Sequence, residues 1–334
     1  MEPVLLKELL SVEGGESRMP LGMFGSVPGT EERYETTVST TVRMLSGVLT
    51  PVPRGLIVYH VQDEPGRDGS ERVFPYRPNK DPFEFALKVI DQLREKRHGA
   101  QAETGVVLFQ VTCAVPRSHF DQLVTFLRDT PGQQTIGGLT LVGAPSNCHA
   151  AIGYSLWEAA ELVKGLVPLG GVCLAERHLT KGDEPQRMLQ KQQLAGVSFF
   201  TTQVIYDADL MVELISSYAE AAAAEKTPPA RLLLTFAPFS CPKTLQFLRW
   251  LGVRVPDAIA ARVLEAEDPV TESLLVCRES LARILLVCSQ RLNYSVPIGV
   301  SVESVSGLIK EINASLKLYD QLMVDLAQYL EQMN

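Results

Sequence analysis

Polar side chains gather at the ends of short apolar runs in this chain. His60, Gln62, Asp63 and Glu64 follow one such run, and Gln110 and Thr112 lie in the next. Glu176 and His178 close a later one, and Thr201, Thr202 and Gln203 another. Carboxylates accept from N–H-rich rings, amides donate and accept, and hydroxyls do either. A single such residue is commonly a solvated loop group, and His178 alone reads as a surface histidine. Their recurrence at several run ends points instead to a ligand pocket. Glu176, His178 and His60 lack a third ligand at fixed spacing, so no metal is expected. No Gly-x-Gly-x-x-Gly, P-loop or Gly-x-Ser-x-Gly elbow is present.

The elements that must position these residues alternate regularly. Apolar runs beginning at Met19, Leu56, Val106, Leu139, Gly171, Phe199, Leu232 and Pro297 read as eight strands. Helical segments separate them. Residues 81–96 place Phe85, Val89, Ile90 and Leu93 on one face, and Asp81-Pro82 opens that helix as cap and first turn. Residues 120–127, 155–163, 188–194, 209–224, 242–251, 257–265 and 269–288 are expected to be helical. Strand–helix alternation implies a parallel sheet, and eight repeats favour closure into a (β/α)8 TIM-type barrel. In such a barrel, chemistry sits where strands end and βα loops begin. The Pro/Gly-rich stretch 65–82 is the longest of those loops and reads as a lid or docking surface. Residues 1–18 are expected to be an N-terminal extension and 19–334 a single barrel. Residues 303–334 should form a long final helix. In it, Val302, Val305, Ile309, Ile312, Leu316, Tyr319, Met323, Leu326, Leu330 and Met333 repeat every three or four positions. Leu308, Leu318, Leu322 and Tyr329 widen that face. The stripe suggests a protein partner or a second copy of the chain.

Composition narrows the classes. The 334 residues are 46% apolar, enough for a large core, with 31 basic and 39 acidic residues for a net charge of -8. No basic stripe with interleaved aromatics appears, so no nucleic-acid partner is expected. The longest stretch without Lys, Arg, Asp or Glu, 134–157, is glycine-rich and holds Pro145, Asn147 and His149, so no membrane span is expected. Cys113, Cys148, Cys173, Cys241, Cys277 and Cys288 form no C-x-x-C pair, as free thiols in a reducing compartment would. Residues 1–15 match neither a secretory signal nor an Arg-rich transit peptide, which leaves a cytoplasmic location as the expectation.

Five stretches, in order, resemble the methylenetetrahydrofolate reductase family. Val111-Thr112-Cys113 resembles its H-L-T-C strand, and Thr140-Leu141-Val142-Gly143 its A-L-R-G. Ala175-Glu176-Arg177-His178 resembles P-E-x-H. Residues 189–203, followed by Tyr206-Asp207, resemble L-K-x-K-x-x-A-G-A-x-x-x-I-T-Q with F-F-D. Residues 238–255 resemble the family's segment ending in V-x-[IV]-P. The resemblance runs from about Met19 to about Val302. It implies a (β/α)8 barrel, an FAD cofactor, NAD(P)H as hydride source and a folate substrate. Carried over residue by residue, it puts Gln203, His178, Thr112, Gln110, His60 and Lys191 at the cofactor, and Glu176, Gln203 and Phe239 at the folate.

The departures bear on chemistry. The family's first-strand glutamate, its proton donor toward folate, has no counterpart in Gly22–Pro28, and the nearest acids are Glu16 and Glu31. Val142 and Ala144 stand where A-L-R-G-D has arginine and aspartate. Gln110 replaces the histidine of H-L-T-C, Cys173 and Leu174 fall where a tyrosine precedes P-E, and Gln192 replaces the last lysine of L-K-x-K beside Lys191. A buried diphosphate needs cations or N–H donors, and imine protonation needs an acid. These losses argue against FAD and leave the catalytic residues unassigned. Three readings follow. One is a barrel degenerate in its redox site that serves as a subunit or scaffold. Another is a noncanonical reductase taking hydride from NAD(P)H, with Asp63 or Glu64 as acid. The third is a non-catalytic binder of a folate-like or other flat molecule.

Overall fold

The computed structural model describes residues 22–45, 55–61, 66–67, 70–96, 105–113, 115–129, 136–143 and 152–332. Eight strands close into a parallel barrel in chain order: β1 Gly22–Ser26, β2 Gly55–Val58, β3 Gly105–Val111, β4 Gly138–Val142, β5 Leu169–Cys173, β6 Val197–Val204, β7 Arg231–Phe236 and β8 Ile298–Val302. The (β/α)8 expectation is met. The first strand begins three residues later than expected, and the extension 1–18 lies outside the described residues. So do Gln62, Asp63, Glu64 and Ala144. Continuous apolar runs such as Leu56-Ile57-Val58, all fully buried, are what a parallel strand covered on both faces requires.

By internal contacts the chain forms two compact units. The first comprises residues 1–62, 78–172 and 193–198, and holds α1 Tyr34–Arg43, α2 Pro82–Lys96, α3 Arg117–Asp129 and α4 Leu156–Val163. Its helices start where the sequence marks them. Asp81 accepts the N–H groups of Phe83 and Glu84, each at 2.9 Å, and so caps α2. The predicted face of α2 is the buried one: Phe85 and Val89 are fully enclosed. Ser155 and Glu158 form a reciprocal capping box on α4, at 3.3 and 2.8 Å.

The second unit comprises 63–77, 173–192 and 199–334. Its helices are α5 Ala175–Lys181, α6 Glu184–Ala195, α7 Ala208–Ala224, α8 Pro242–Trp250, α9 Asp257–Leu264, α10 Pro269–Gln290 and α11 Ile309–Glu331. α5 is a helix where the sequence suggested only a strand end, and α6 starts four residues earlier than expected. Phe200 of β6 meets Tyr218 of α7 edge-on at 6.2 Å, so its row of side chains faces the helices. Register pairs Thr201 with Leu233, and Thr235 with Ser301. Thr201, Thr235 and Ser301 therefore share the opposite, inner face.

Two anchors brace this unit. Glu311, fully buried in the first turn of α11, accepts from the Ser240 N–H and hydroxyl, both at 2.7 Å, from Thr244 at 3.0 Å and from Ser306. One carboxylate thereby ties α11 to the β7–α8 loop. Residues 71–76 lie on α8. Gly66–Arg67 pairs with Ser70–Glu71, Arg72 stacks over Trp250 at 5.1 Å, and Phe74 meets Phe247 edge-on at 5.0 Å. This part of the long loop expected as a lid or docking surface is thus engaged within the chain.

The final helix runs along α10, to which the Arg278–Asp325 pair joins it at 2.8 Å through two parallel bonds. Its buried stripe is centred on Leu318, Leu322 and Leu326, with Tyr319 and Tyr329 beside it. Of the predicted seam, Ile312, Leu316, Met323 and Leu330 are half-buried and Ile309 is exposed. The helix thus turns its richest apolar face inward, displaced from the seam by about one residue.

Replacing Glu311 by alanine strands three hydroxyls and one amide. The expected loss of stability is about 3 kcal/mol, with Glu311→Gln losing less because an amide oxygen still accepts. Urea unfolding measures both; a loss under about 1 kcal/mol for the alanine variant, the level of an ordinary surface change, would contradict the bracing role.

Candidate functional site

In the second unit, β5 ends at Cys173 and the chain turns at once into α5, which sets Glu176 in the first helical turn. β6 carries a register irregularity between Thr201 and Val204. An irregularity of that kind re-aims side chains locally. Here it separates the roles of two neighbours. Thr202 turns its hydroxyl to accept the Thr235 N–H at 2.9 Å, while Gln203 lines a recess with Glu176, Tyr206 and Asp207.

The recess has a mixed apolar and polar lining and is edged by carboxylates. Glu176 accepts the backbone N–H of Arg254 at 3.3 Å. Asp207 accepts from Arg254 Nε at 2.7 Å with one oxygen, and with the other caps α7 through the Leu210 N–H at 3.1 Å. Gln203 donates to the Leu251 carbonyl at 3.2 Å and accepts from the Val204 N–H at 3.0 Å. Burial pushes the Glu176 carboxyl up from its ordinary value, and the neighbouring Asp207 adds to this; the N–H bond and the Arg254 charge pull it down. The enclosed space is about 10 Å3, room for about one water molecule. That is far below the roughly 300–1,000 Å3 of pockets that enclose a drug-sized ligand. The recess can therefore offer only its rim to the edge of a larger molecule.

The remaining candidates fall elsewhere. His178 is half-buried on α5, and its buried Nδ1 has no hydrogen-bond partner among the described residues. Phe239 is fully buried, edge-on to Tyr206 at 5.2 Å with its N–H on Ser273, so it offers no open ring face for stacking. Lys191 is buried in α6 above the Phe200 ring at 5.9 Å. Burial lowers its pKa against the pull of Glu184, and burial raises that of Glu184 against the pull of Lys191. Gln192 accepts from the Tyr218 hydroxyl and donates to the Pro228 carbonyl at 3.1 Å. Neither α6 residue presents a charge to a ligand.

In the first unit, Thr112 is buried and donates to the Val142 carbonyl at 3.2 Å. Gln110 is 1% exposed, and neither end of its amide has a hydrogen-bond partner among the described residues. His60 is half-buried, and burial lowers its pKa, with Asp81 opposing and His119 reinforcing. His119 Nε2 lies 2.8 Å from Asp81.

Asp207 stood out in the sequence only as part of a tyrosine–aspartate pair. Arg254 carried no local signal, since its contact with Glu176 spans 78 positions. Among the described residues, no group of three or more His, Cys, Asp or Glu could hold a metal ion, and no helix is long and apolar enough to cross a membrane.

The raised Glu176 carboxyl has a thermodynamic consequence. A folded-state pKa above the unfolded one favours the fold below the unfolded value, and that contribution is lost as pH rises through the folded value. At neutral pH the ionised side chain therefore works against folding. Glu176→Gln is expected to raise Tm at pH 7 and to gain little at pH 4. A lower Tm at pH 7 would refute this.

No protein-family model matches the sequence, and no curated protein matches it either. Solved structures do match. A protein of uncharacterised function from Clostridium thermocellum that binds two copies of 5-methyl-5,6,7,8-tetrahydrofolic acid superposes with a TM-score of 0.72 at 22% identity, covering 96% of this chain and 99% of that one. A dihydropteroate synthase from Coxiella burnetii in complex with pteroic acid aligns at a TM-score of 0.44 and 11% identity, over 93% of this chain and 94% of its own. The first of these likenesses establishes a shared fold along nearly the whole length of both chains.

Proposed function

We propose that this chain is a folate-binding barrel that takes the pterin edge of a reduced folate at the β5 and β6 strand ends, without a flavin. The observation that carries the reading is the half-buried Glu176 carboxylate facing a recess shared with Gln203 and Asp207. A carboxylate whose ionised form is disfavoured by burial gains from a neutral, N–H-rich partner. A pterin's 2-amino group and ring N–H match that need with paired donors. The full-length likeness to a barrel that binds 5-methyltetrahydrofolate supports the same ligand class.

Three features speak against FAD. Val142 stands where the resembling family has an arginine, Lys191 is buried beside Glu184, and Gln192 is bonded to Tyr218 and Pro228. These residues do not fit a diphosphate, which requires exposed cations or N–H donors. A reductase that uses NAD(P)H directly would draw its acid from Asp63 or Glu64, which lie outside the described residues. Binding is therefore the function proposed, with turnover a separate question.

Isothermal titration of the purified protein with 5-methyltetrahydrofolate tests the reading. Saturable binding is expected, with Glu176→Gln weakening it roughly tenfold, in line with losing a charge-assisted hydrogen-bond pair. Affinity should fall as pH drops through the raised carboxyl pKa. FAD should produce no visible absorption on the protein after gel filtration. Stoichiometric yellow colour, or no folate binding at all, would overturn the proposal.

A further inference from the structure

We propose that the turn 251–254, between α8 and α9, is a latch that occupies the polar groups of the recess and must release them before a ligand binds. The inference rests on the folate reading above and concerns how that site is opened.

The three side chains that the folate reading assembles at the recess are all bonded to this one turn. Gln203 donates to the Leu251 carbonyl at 3.2 Å, Glu176 accepts the Arg254 N–H at 3.3 Å, and Asp207 accepts from Arg254 Nε at 2.7 Å. The turn thus shows the recess a backbone C=O and a backbone N–H. Those are the acceptor and donor that the lactam edge of a pterin also presents. Turn and ligand therefore ask for the same partners. Space agrees, because the recess encloses only about 10 Å3, room for about one water molecule. A ring edge gains the Gln203 amide and the Glu176 oxygen only when the turn gives them up.

The latch depends on one glycine. Gly252 closes α8 in a Schellman motif: its N–H reaches the Arg249 carbonyl at 3.0 Å, and the Val253 N–H reaches the Leu248 carbonyl at 3.0 Å. Its φ of +88° is one that only glycine adopts without strain. Val253 and Val255 are 3% and 6% exposed, and their burial favours the latched form. Just before the turn, Trp250 stacks on Phe247 at 5.7 Å and lies beneath Arg72 at 5.1 Å. Those contacts hold the end of α8 and leave the turn as the part that moves.

Gly252→Ala strains the latch and leaves the recess side chains in place. Isothermal titration with 5-methyltetrahydrofolate compares this variant with wild type. The variant is expected to bind roughly fivefold tighter, because a side chain in left-handed backbone carries strain of that scale and shifts the population toward the open form. Equal or weaker binding than a wild type that does bind would overturn the latch and leave the folate site standing. Binding by neither protein would overturn the folate reading and the latch together. A second measurement leaves the turn unaltered. Trp157→Phe makes Trp250 the sole tryptophan, and its emission is followed as 5-methyltetrahydrofolate is mixed in by stopped flow. The observed rate is expected to level off at high ligand concentration, at the rate of opening. A rate that climbs in proportion to concentration throughout would overturn the latch, whether or not Gly252→Ala folds.

Discussion

Parallel hydrogen-bond ladders that close on themselves force every strand of this chain to point its carboxyl end toward one rim. That constraint is what lets residues distant in sequence become a site. Glu176 follows β5, Gln203 ends β6 and Asp207 opens the next helix. They converge because β5 and β6 are consecutive strands of one ladder. The rim gathers polar groups because loop backbones there lack ladder partners and need donors and acceptors.

Two buried or half-buried carboxylates show opposite solutions to the cost of burial. Glu311 is surrounded by three hydroxyls and an amide, so its charge is dispersed over hydrogen bonds and the residue acts as a rivet between α11 and the β7–α8 loop. For Glu176, burial and the neighbouring Asp207 outweigh the backbone N–H bonds and the Arg254 charge, so its ionised form is incompletely compensated. A residue that works against its own fold is the kind that a ligand can reward. Asp207 lies between these extremes, sharing its two oxygens between a helix cap and an arginine.

Several residues that the sequence marked as cofactor candidates are used up inside the fold. Lys191 is buried under the coulombic influence of Glu184, and Gln192 ties α7 to the loop before β7. Phe239 likewise belongs to the interior, packed on Tyr206. A barrel of this kind can thus devote polar side chains near its strand ends to packing as well as to a site.

What the sequence by itself determined is the set of local features: the eight apolar runs, the Asp81 and Ser155 caps, the inward face of α2 and the closed barrel they imply. Each depends on neighbours within a few positions, where propensity, capping and periodicity act directly. Residue type also marked Glu176 and Gln203 as site candidates. Only the tertiary structure decided which polar groups share a recess and which are used up inside. The seven-residue α5 is too short to show a period, and the α11 seam was misplaced because 3.6 does not divide seven, leaving several faces nearly as apolar as the one that packs. Arg254 joined the site through a backbone bond to Glu176, and Phe239 left it by sinking beneath Tyr206. Both outcomes rest on pairings between residues dozens of positions apart, which no local pattern encodes.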